Sequence, residues 1–200
     1  MFDEAFRARF QPLARPLVRA LADAGATPNQ ITVSTFALAA IAATLVAGGY
    51  PVTGVAVWLL SRVGDGLDGA LARTTGSTSP FGGFLDITLD MAAYSAMVIG
   101  FASLYPQFAV SWTLVLTGYV LAITTTLALS DAARAAERRV SGTDRTFQFT
   151  PGITEAGETT VAYIVWALWP EHLAWWLGIW IVALAATGVQ RTHLAWRVLR

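Results

Sequence analysis

SRVGDGLDGALARTTGSTSPFGGFLDITLD, residues 61–90, sets Asp65, Asp68, Asp86 and Asp90 into sequence otherwise suited to a lipid bilayer. A carboxylate at the centre of a membrane helix is unfavourable by about 2.5–3.5 kcal/mol even on the lenient insertion scale, so a set of them demands compensation. Residues three, four and seven apart share a helix face, which puts Asp65, Asp68, Gly69 and Ala72 on one stripe and Asp86 and Asp90 on another. Thr74 to Phe81, with Gly76 and Pro80, reads as a turn between the two helices. They are then antiparallel neighbours with facing stripes, and the carboxylates converge.

The surrounding sequence fixes the class. Of 200 residues, 55% are hydrophobic and 13% charged, and the mean hydropathy is +0.54, values of a polytopic membrane protein. Apolar stretches recur at Ile31 to Gly49, Val52 to Ala72, Phe84 to Leu104, Phe108 to Leu129, Thr159 to Trp169 and Leu173 to Val189. Most approach the roughly 20 residues that a spanning helix needs. The fifth does so only with Thr154, Glu155 and Glu158 in its first turns. The expected fold is therefore all-α: six transmembrane helices preceded by an amphipathic interfacial helix.

Lys is absent, and the 13 basic residues are all Arg. They precede the first span, lie in or at the end of the second, fall between the fourth and fifth, or close the chain. The opposite loops, at Tyr50–Pro51, Tyr105 to Gln107 and Pro170 to His172, carry none. The positive-inside rule then puts both termini and the aspartate end of the bundle on the cytoplasmic side of the inner membrane. The chain has no Cys, which rules out disulfides and thiolate chemistry, and its formal net charge of zero implies no nucleic-acid partner. No cleavable signal peptide is expected, since Asp3, Glu4 and interspersed Arg residues open the chain.

Residues 1–25 place Phe2, Phe6, Phe10, Leu13, Leu17 and Leu21 on one helical face, with Arg7, Arg9, Arg15 and Arg19 on others. That pattern suits a helix lying in the membrane interface or against the end of the bundle. Residues 26–200 form the transmembrane domain. It opens at Thr27-Pro28-Asn29, where Thr27 can cap the first span and Pro28 fits its first turn, leaving Asn29 and Thr32 at the rim as potential ligand donors. Ser130 to Gly152 begins as a helical extension of the fourth span.

Oxygen-only ligands favour hard cations, and without Cys or nearby His the cluster does not suit zinc. Mg²⁺, Mn²⁺ and Ca²⁺ all fit such ligands, and charge balance calls for two divalent cations, in a two-metal arrangement familiar from phosphoryl chemistry. Pairing within the chain is insufficient, because Arg62 and Arg73 cannot neutralise all of the aspartates. A divalent-ion transporter or a metal-binding bundle is the non-enzymatic alternative, but neither repeated halves nor broken helices are visible.

Asp65, Asp68-Gly69, Ala72-Arg73, Gly82, Asp86 and Asp90, at these spacings, resemble the complete signature of the CDP-alcohol phosphotransferase family. Thr27 to Asn29, the lead-in helix and the layout of spans are similar to that family too, and the resemblance weakens after about Ser130. It implies that Asp65, Asp68, Asp86 and Asp90 bind metal and that Asp90 is also the general base on an incoming alcohol. It further implies that Asn29, Gln30, Ile31, Thr32, Gly69, Arg73 and Ser79 contact the CDP donor, with Arg73 on the diphosphate. Homodimerisation is expected on the same ground. The implied reaction transfers a phosphatidyl group from CDP-diacylglycerol to a small polar alcohol and releases CMP.

The signature does not select the alcohol. Arg134, Arg138, Arg139 and Arg145 suit an acceptor phosphate, although positive-inside bias also explains them. Glu155 and Glu158 open the fifth span, where acids suit the helix dipole. Facing the cavity, they would attract an ammonium group, so an amino alcohol (choline, ethanolamine or serine) is the expected acceptor. The alternatives are inositol phosphate or glycerol phosphate as acceptor, or a CDP-choline or CDP-ethanolamine donor with diacylglycerol as acceptor.

Overall fold

The computed structural model describes residues 15–141, 154 and 156–199, and of these the side chains of 133–141 and 198 are left aside. Among the described residues the regular structure is all helix, with no strand: α1 over 15–23, α2 Pro28–Ala47, α3 Pro51–Thr75, α4 Pro80–Leu104, α5 Ala109–Ser141, α6 Ala156–Leu168 and α7 Leu173–Val198. Short 3₁₀ turns at Pro106–Phe108 and Pro170–His172 precede α5 and α7.

Local chemistry sets the helix ends. Thr27 and Gln30 form a reciprocal capping box at the start of α2, with Pro28 in the first turn, where its missing N–H is no loss. Gly76, at φ 65°, takes the left-handed conformation that ends α3. Three residues later the Ser79 hydroxyl accepts the Gly82 amide at 3.0 Å and starts α4. The expected turn between the aspartate-bearing helices is thus punctuated at both ends.

Among the described residues, four segments are long and apolar enough to cross a membrane: Pro28–Ala47, Pro80–Leu104, Pro106–Ala132 and Pro170–Arg197. The other two expected spans differ for physical reasons. Helix α3 has 25 residues, but Arg62, Asp65, Asp68 and Arg73 interrupt its apolar character, and α6 has only 13 residues. Most of the expected interfacial helix, including Phe2, Phe6, Phe10 and Leu13, lies outside the described residues. In its described part Val18 is buried and clusters with Leu67 and Leu71 of α3, while Leu17 is exposed.

Helix α2 packs extensively against both α3 and α4 and is their common support. Helices α3 and α4 meet each other through side chains, with the rings of Trp58 and Tyr94 5.1 Å apart and Arg62 Nη1 2.5 Å from Asp90 Oδ1, so the two are neighbours with facing stripes, as the sequence pattern predicts. Small residues permit the close approach. A Cβ on Gly54 of α3 would stand 2.7 Å from the Ala42 carbonyl oxygen, and one on Gly100 of α4 would stand 2.6 Å from that of Ala43. Helices α5 and α7 pair on the other side, and the halves join through α4 with α5 and α3 with α6. An aromatic core of Trp58, Tyr94, Phe101, Trp112, Tyr163 and Trp166 fills the junction. Two of its polar tips tie helices together: the Trp58 indole donates to Thr160 Oγ1 at 3.2 Å, and the Tyr163 hydroxyl to the Tyr94 carbonyl at 3.0 Å.

Candidate active site

The C-terminal half of α3 and the N-terminal half of α4 meet at one end of the bundle, because the turn from Gly76 to Ser79 reverses the chain there. One carboxylate oxygen each from Asp65, Asp68 and Asp86 lies within 4.8 Å of the others. Asp68 is the most enclosed of the three and is held from behind by α2, whose Thr32 hydroxyl donates to its Oδ2 at 2.7 Å. Its Oδ1 accepts the Gly69 amide at 2.5 Å. Three convergent carboxylates with no Cys or His among them have the donor chemistry of a hard divalent cation.

Asp90 does not join that trio. One turn deeper on α4, its Oδ1 accepts from Arg62 Nη1 at 2.5 Å, and the same nitrogen stands 3.5 Å from Asp65 Oδ2. The Arg62 guanidinium carbon lies 4.4 Å from the Trp58 ring centroid and 5.3 Å from that of Tyr94. Internal pairing thus takes up part of the cluster's charge through Arg62. Pairing of Arg62 with the aspartates is among the readings of the sequence, but its aromatic seat between Trp58 and Tyr94 is not. The signal present was the Trp58, Arg62, Asp65 spacing of four and three, which puts an aromatic face and a carboxylate on either side of one guanidinium.

A cavity of about 1030 Å³ opens from the cluster. Its charged end is lined by Arg62, Asp65, Asp68, Arg73, Asp86 and Asp90, and Gly66 and Gly69 keep the α3 wall low. Its other walls come from α6 and α7, through Val161, Val165, Trp166, Trp176, Ile179 and Trp180. Glu158, in the first turn of α6, also lines it.

The remaining expected donor contacts divide. Gly69 and Arg73 face the cavity. Asn29 reaches α4 from α2, its Oδ1 lying 3.3 Å from where a Cβ of Gly82 would stand. Gln30 and Ser79 are engaged as caps, and Ile31 packs on the cluster of Val18, Leu67 and Leu71. Among the expected acceptor contacts, Arg134, Arg138 and Arg139 lie on the last turns of α5 with side chains outside the described set, as is Glu155.

Comparison with known proteins adds an independent line. The family model for CDP-alcohol phosphatidyltransferase matches residues 26–187, well past Ser130. The chain is 34% identical over 180 residues to the inner membrane protein YnjF of Escherichia coli, covering 87% of this chain and 85% of that one. It is 34% identical over 200 residues to phosphatidylinositol phosphate synthase of Mycobacteroides abscessus, covering 94% and 85%. It is 31% identical over 204 residues to archaetidylinositol phosphate synthase of Methanothermobacter thermautotrophicus, covering 99% and 98%. Among solved structures, Mycobacterium tuberculosis phosphatidylinositol phosphate synthase with CDP-DAG bound superposes with a TM-score of 0.68 at 25% identity, covering 90% of this chain and 92% of that one. The same enzyme with manganese and citrate gives 0.66 at 26% identity, covering 90% and 88%.

Proposed function

The chain belongs to the CDP-alcohol phosphatidyltransferase family, and from that premise we propose that this integral membrane enzyme transfers a phosphatidyl group from CDP-diacylglycerol to inositol phosphate, with release of CMP. The observation that carries the donor assignment is the two-ended cavity. Carboxylates and Arg73 stand at one end and an apolar wall from α6 and α7 at the other, which suits a diphosphate joined to long acyl chains. The acceptor assignment corrects the amino-alcohol expectation. Two of the relatives differ in the lipid they are named for and share inositol phosphate. Glu158 needs no ammonium partner to account for it, since a carboxylate in the first turn of α6 complements the helix dipole. In the cavity it suits the hydroxyls of a polyol, to which a carboxylate is an acceptor.

Asp65, Asp68 and Asp86 are the proposed ligands of the divalent cations, magnesium or manganese, with Asp90 at the edge of the same cluster. Bound cations supply positive charge that offsets the diphosphate and the departing CMP. Arg73 grips the diphosphate and Gly69 lets it approach the backbone of α3. Asp90 takes the proton of the attacking hydroxyl. The hydroxyl oxygen bonds to the phosphorus that carries the diacylglycerol, the bond from that phosphorus to CMP breaks, and CMP leaves with the electron pair. Arg134, Arg138 and Arg139, on the turns of α5 beyond its apolar stretch, are candidates for the acceptor's own phosphate.

The same reading takes α3 and α6 as completing six spans, with residues 1–25 in the interface and the cluster on the cytoplasmic side. Purified protein incubated with CDP-diacylglycerol, Mn²⁺ and each alcohol in turn tests the acceptor. A lipid product with the mass of phosphatidylinositol phosphate, formed only with inositol phosphate, is expected. A product formed with choline, ethanolamine or serine and none with inositol phosphate would overturn it.

A further inference from the structure

Helix α6 brings Glu158 to the cavity but is the shortest of the helices that line it, so its placing depends on how it is held. Its first two residues, Ala156 and Gly157, offer no polar side chain for that. The hold at this end comes from α7. Thr187, fully buried, donates its one hydroxyl proton to the Ala183 carbonyl at 2.9 Å within its own helix. Its oxygen is then an acceptor, and Thr154 uses it twice, with its backbone N–H at 3.1 Å and its hydroxyl at 2.9 Å. Thr154 is itself buried, at 8% exposure, just ahead of α6. Further along, Thr160 accepts from the Trp58 indole of α3 and the Tyr163 hydroxyl donates to the Tyr94 carbonyl of α4. Glu158 lies between these anchors.

We propose that Thr187 is a positioning residue for the acceptor: by holding Thr154 it fixes the first turn of α6, and with it the place of Glu158 in the cavity. This rests on the reading of Glu158 as a contact of the acceptor's hydroxyls. A buried amide N–H that loses its acceptor is strongly unfavourable, so without the Thr187 oxygen the chain at Thr154 shifts toward another partner or water. The body of α6, bonded through Thr160 and Tyr163, stays in place, and the displacement falls on the turn that carries Glu158. Neither Thr154 nor Thr187 lines the cavity, so Thr187 acts on the acceptor only through that turn. The charged end of the cavity, built from α3 and α4, is left as it was.

The full-length protein in detergent is compared as wild type, Thr187→Val, Thr187→Ser, Glu158→Leu and the double variant of Thr187→Val with Glu158→Leu. CMP release is followed with CDP-diacylglycerol, Mn²⁺ and inositol phosphate, and amide hydrogen exchange by mass spectrometry. Thr187→Val, which keeps the shape and loses the hydroxyl, is expected to raise the KM for inositol phosphate about 5- to 20-fold, with the KM for CDP-diacylglycerol within about twofold of wild type. In that variant the Thr154 amide and the first turn of α6 should exchange about tenfold faster, and α2 at its usual rate. Thr187→Ser should behave as wild type in both respects. In the Glu158→Leu background Thr187→Val should add less than about twofold, because two changes that act on one contact are not additive. Independent effects in the double variant, both KM values rising together, or unchanged exchange at the start of α6 would overturn the proposal. If Thr187→Val does not fold, Thr154→Ala, which removes the 2.9 Å bond alone, is judged by the same outcomes. Glu158→Leu with the wild-type KM for inositol phosphate would refute Glu158 as an acceptor contact, and the proposal with it. A wild-type protein that releases no CMP would instead refute the transferase reading, and the exchange rates would still test the hold of Thr187 on α6.

Discussion

Four aspartates of one residue type occupy distinct surroundings. Asp68 is pinned by Thr32 and the Gly69 amide, Asp65 and Asp86 complete a group with it, and Asp90 is ion-paired with Arg62. In the proposed mechanism Asp90 takes the proton of the acceptor hydroxyl. Asp90→Asn, which keeps shape and removes basicity, is expected to lower CMP release about 10²- to 10⁴-fold. Binding of CDP-diacylglycerol, measured by calorimetry, should change less than about threefold. Turnover near the wild-type rate would remove Asp90 from the base assignment. The spacing of the aspartates could be read directly because helix periodicity fixes which of them share a face. The partner of Asp90 could not, because Arg62 stands 28 positions away on another helix and only the packing of α3 and α4 on α2 brings them together. Charge alone does not decide the role of Glu158, because an acid in the first turn of a helix also has a local reason to be there.

Helix ends were well marked in the sequence. Thr27, Pro28, Gly76, Ser79 and Pro80 act through local hydrogen bonds and backbone geometry, so their meaning does not depend on the rest of the chain. The role of α2 was hidden. Its alanines and valines read as generic membrane helix, and their importance comes from Gly54 and Gly100 on its two neighbours. Close packing of α3 and α4 on α2 therefore contributes to the placing of Asp68 and Asp86. Gly100→Ala puts a methyl group against the Ala43 carbonyl, where backbone must yield. It is expected to destabilise the bundle by about 1–3 kcal/mol, seen as a lower midpoint of thermal unfolding in detergent. Mn²⁺ affinity should weaken with it, as α4 moves off its support. Gly178→Ala, where an added methyl would meet nothing within 4 Å, should leave both unchanged. Equal loss in the two variants would refute α2 as a support of the cluster.

The two halves of the molecule, α2 with α3 and α4, and α5 with α7, close on each other through an aromatic core, and the cavity lies where α6 and α7 face α3. One wall is charged and the other apolar, so a single chamber can hold both the reacting phosphates and the lipid. The membrane class was evident from composition, since no packing arrangement hides so much apolar surface in water. The cavity was not, because its apolar wall is built from residues that look the same whether they face lipid, protein or substrate. The central claim is that the carboxylates at the head of this chamber hold divalent cation and activate a CDP-linked donor there. Protein stripped with chelator and titrated with Mn²⁺ tests it, with CMP release from CDP-diacylglycerol and inositol phosphate as the readout. Release that is absent without Mn²⁺, rises to saturation in the wild type and falls at least about 100-fold in Asp86→Asn is the predicted result. Release that persists after stripping, or that is the same in Asp86→Asn as in wild type across the titration, would contradict it.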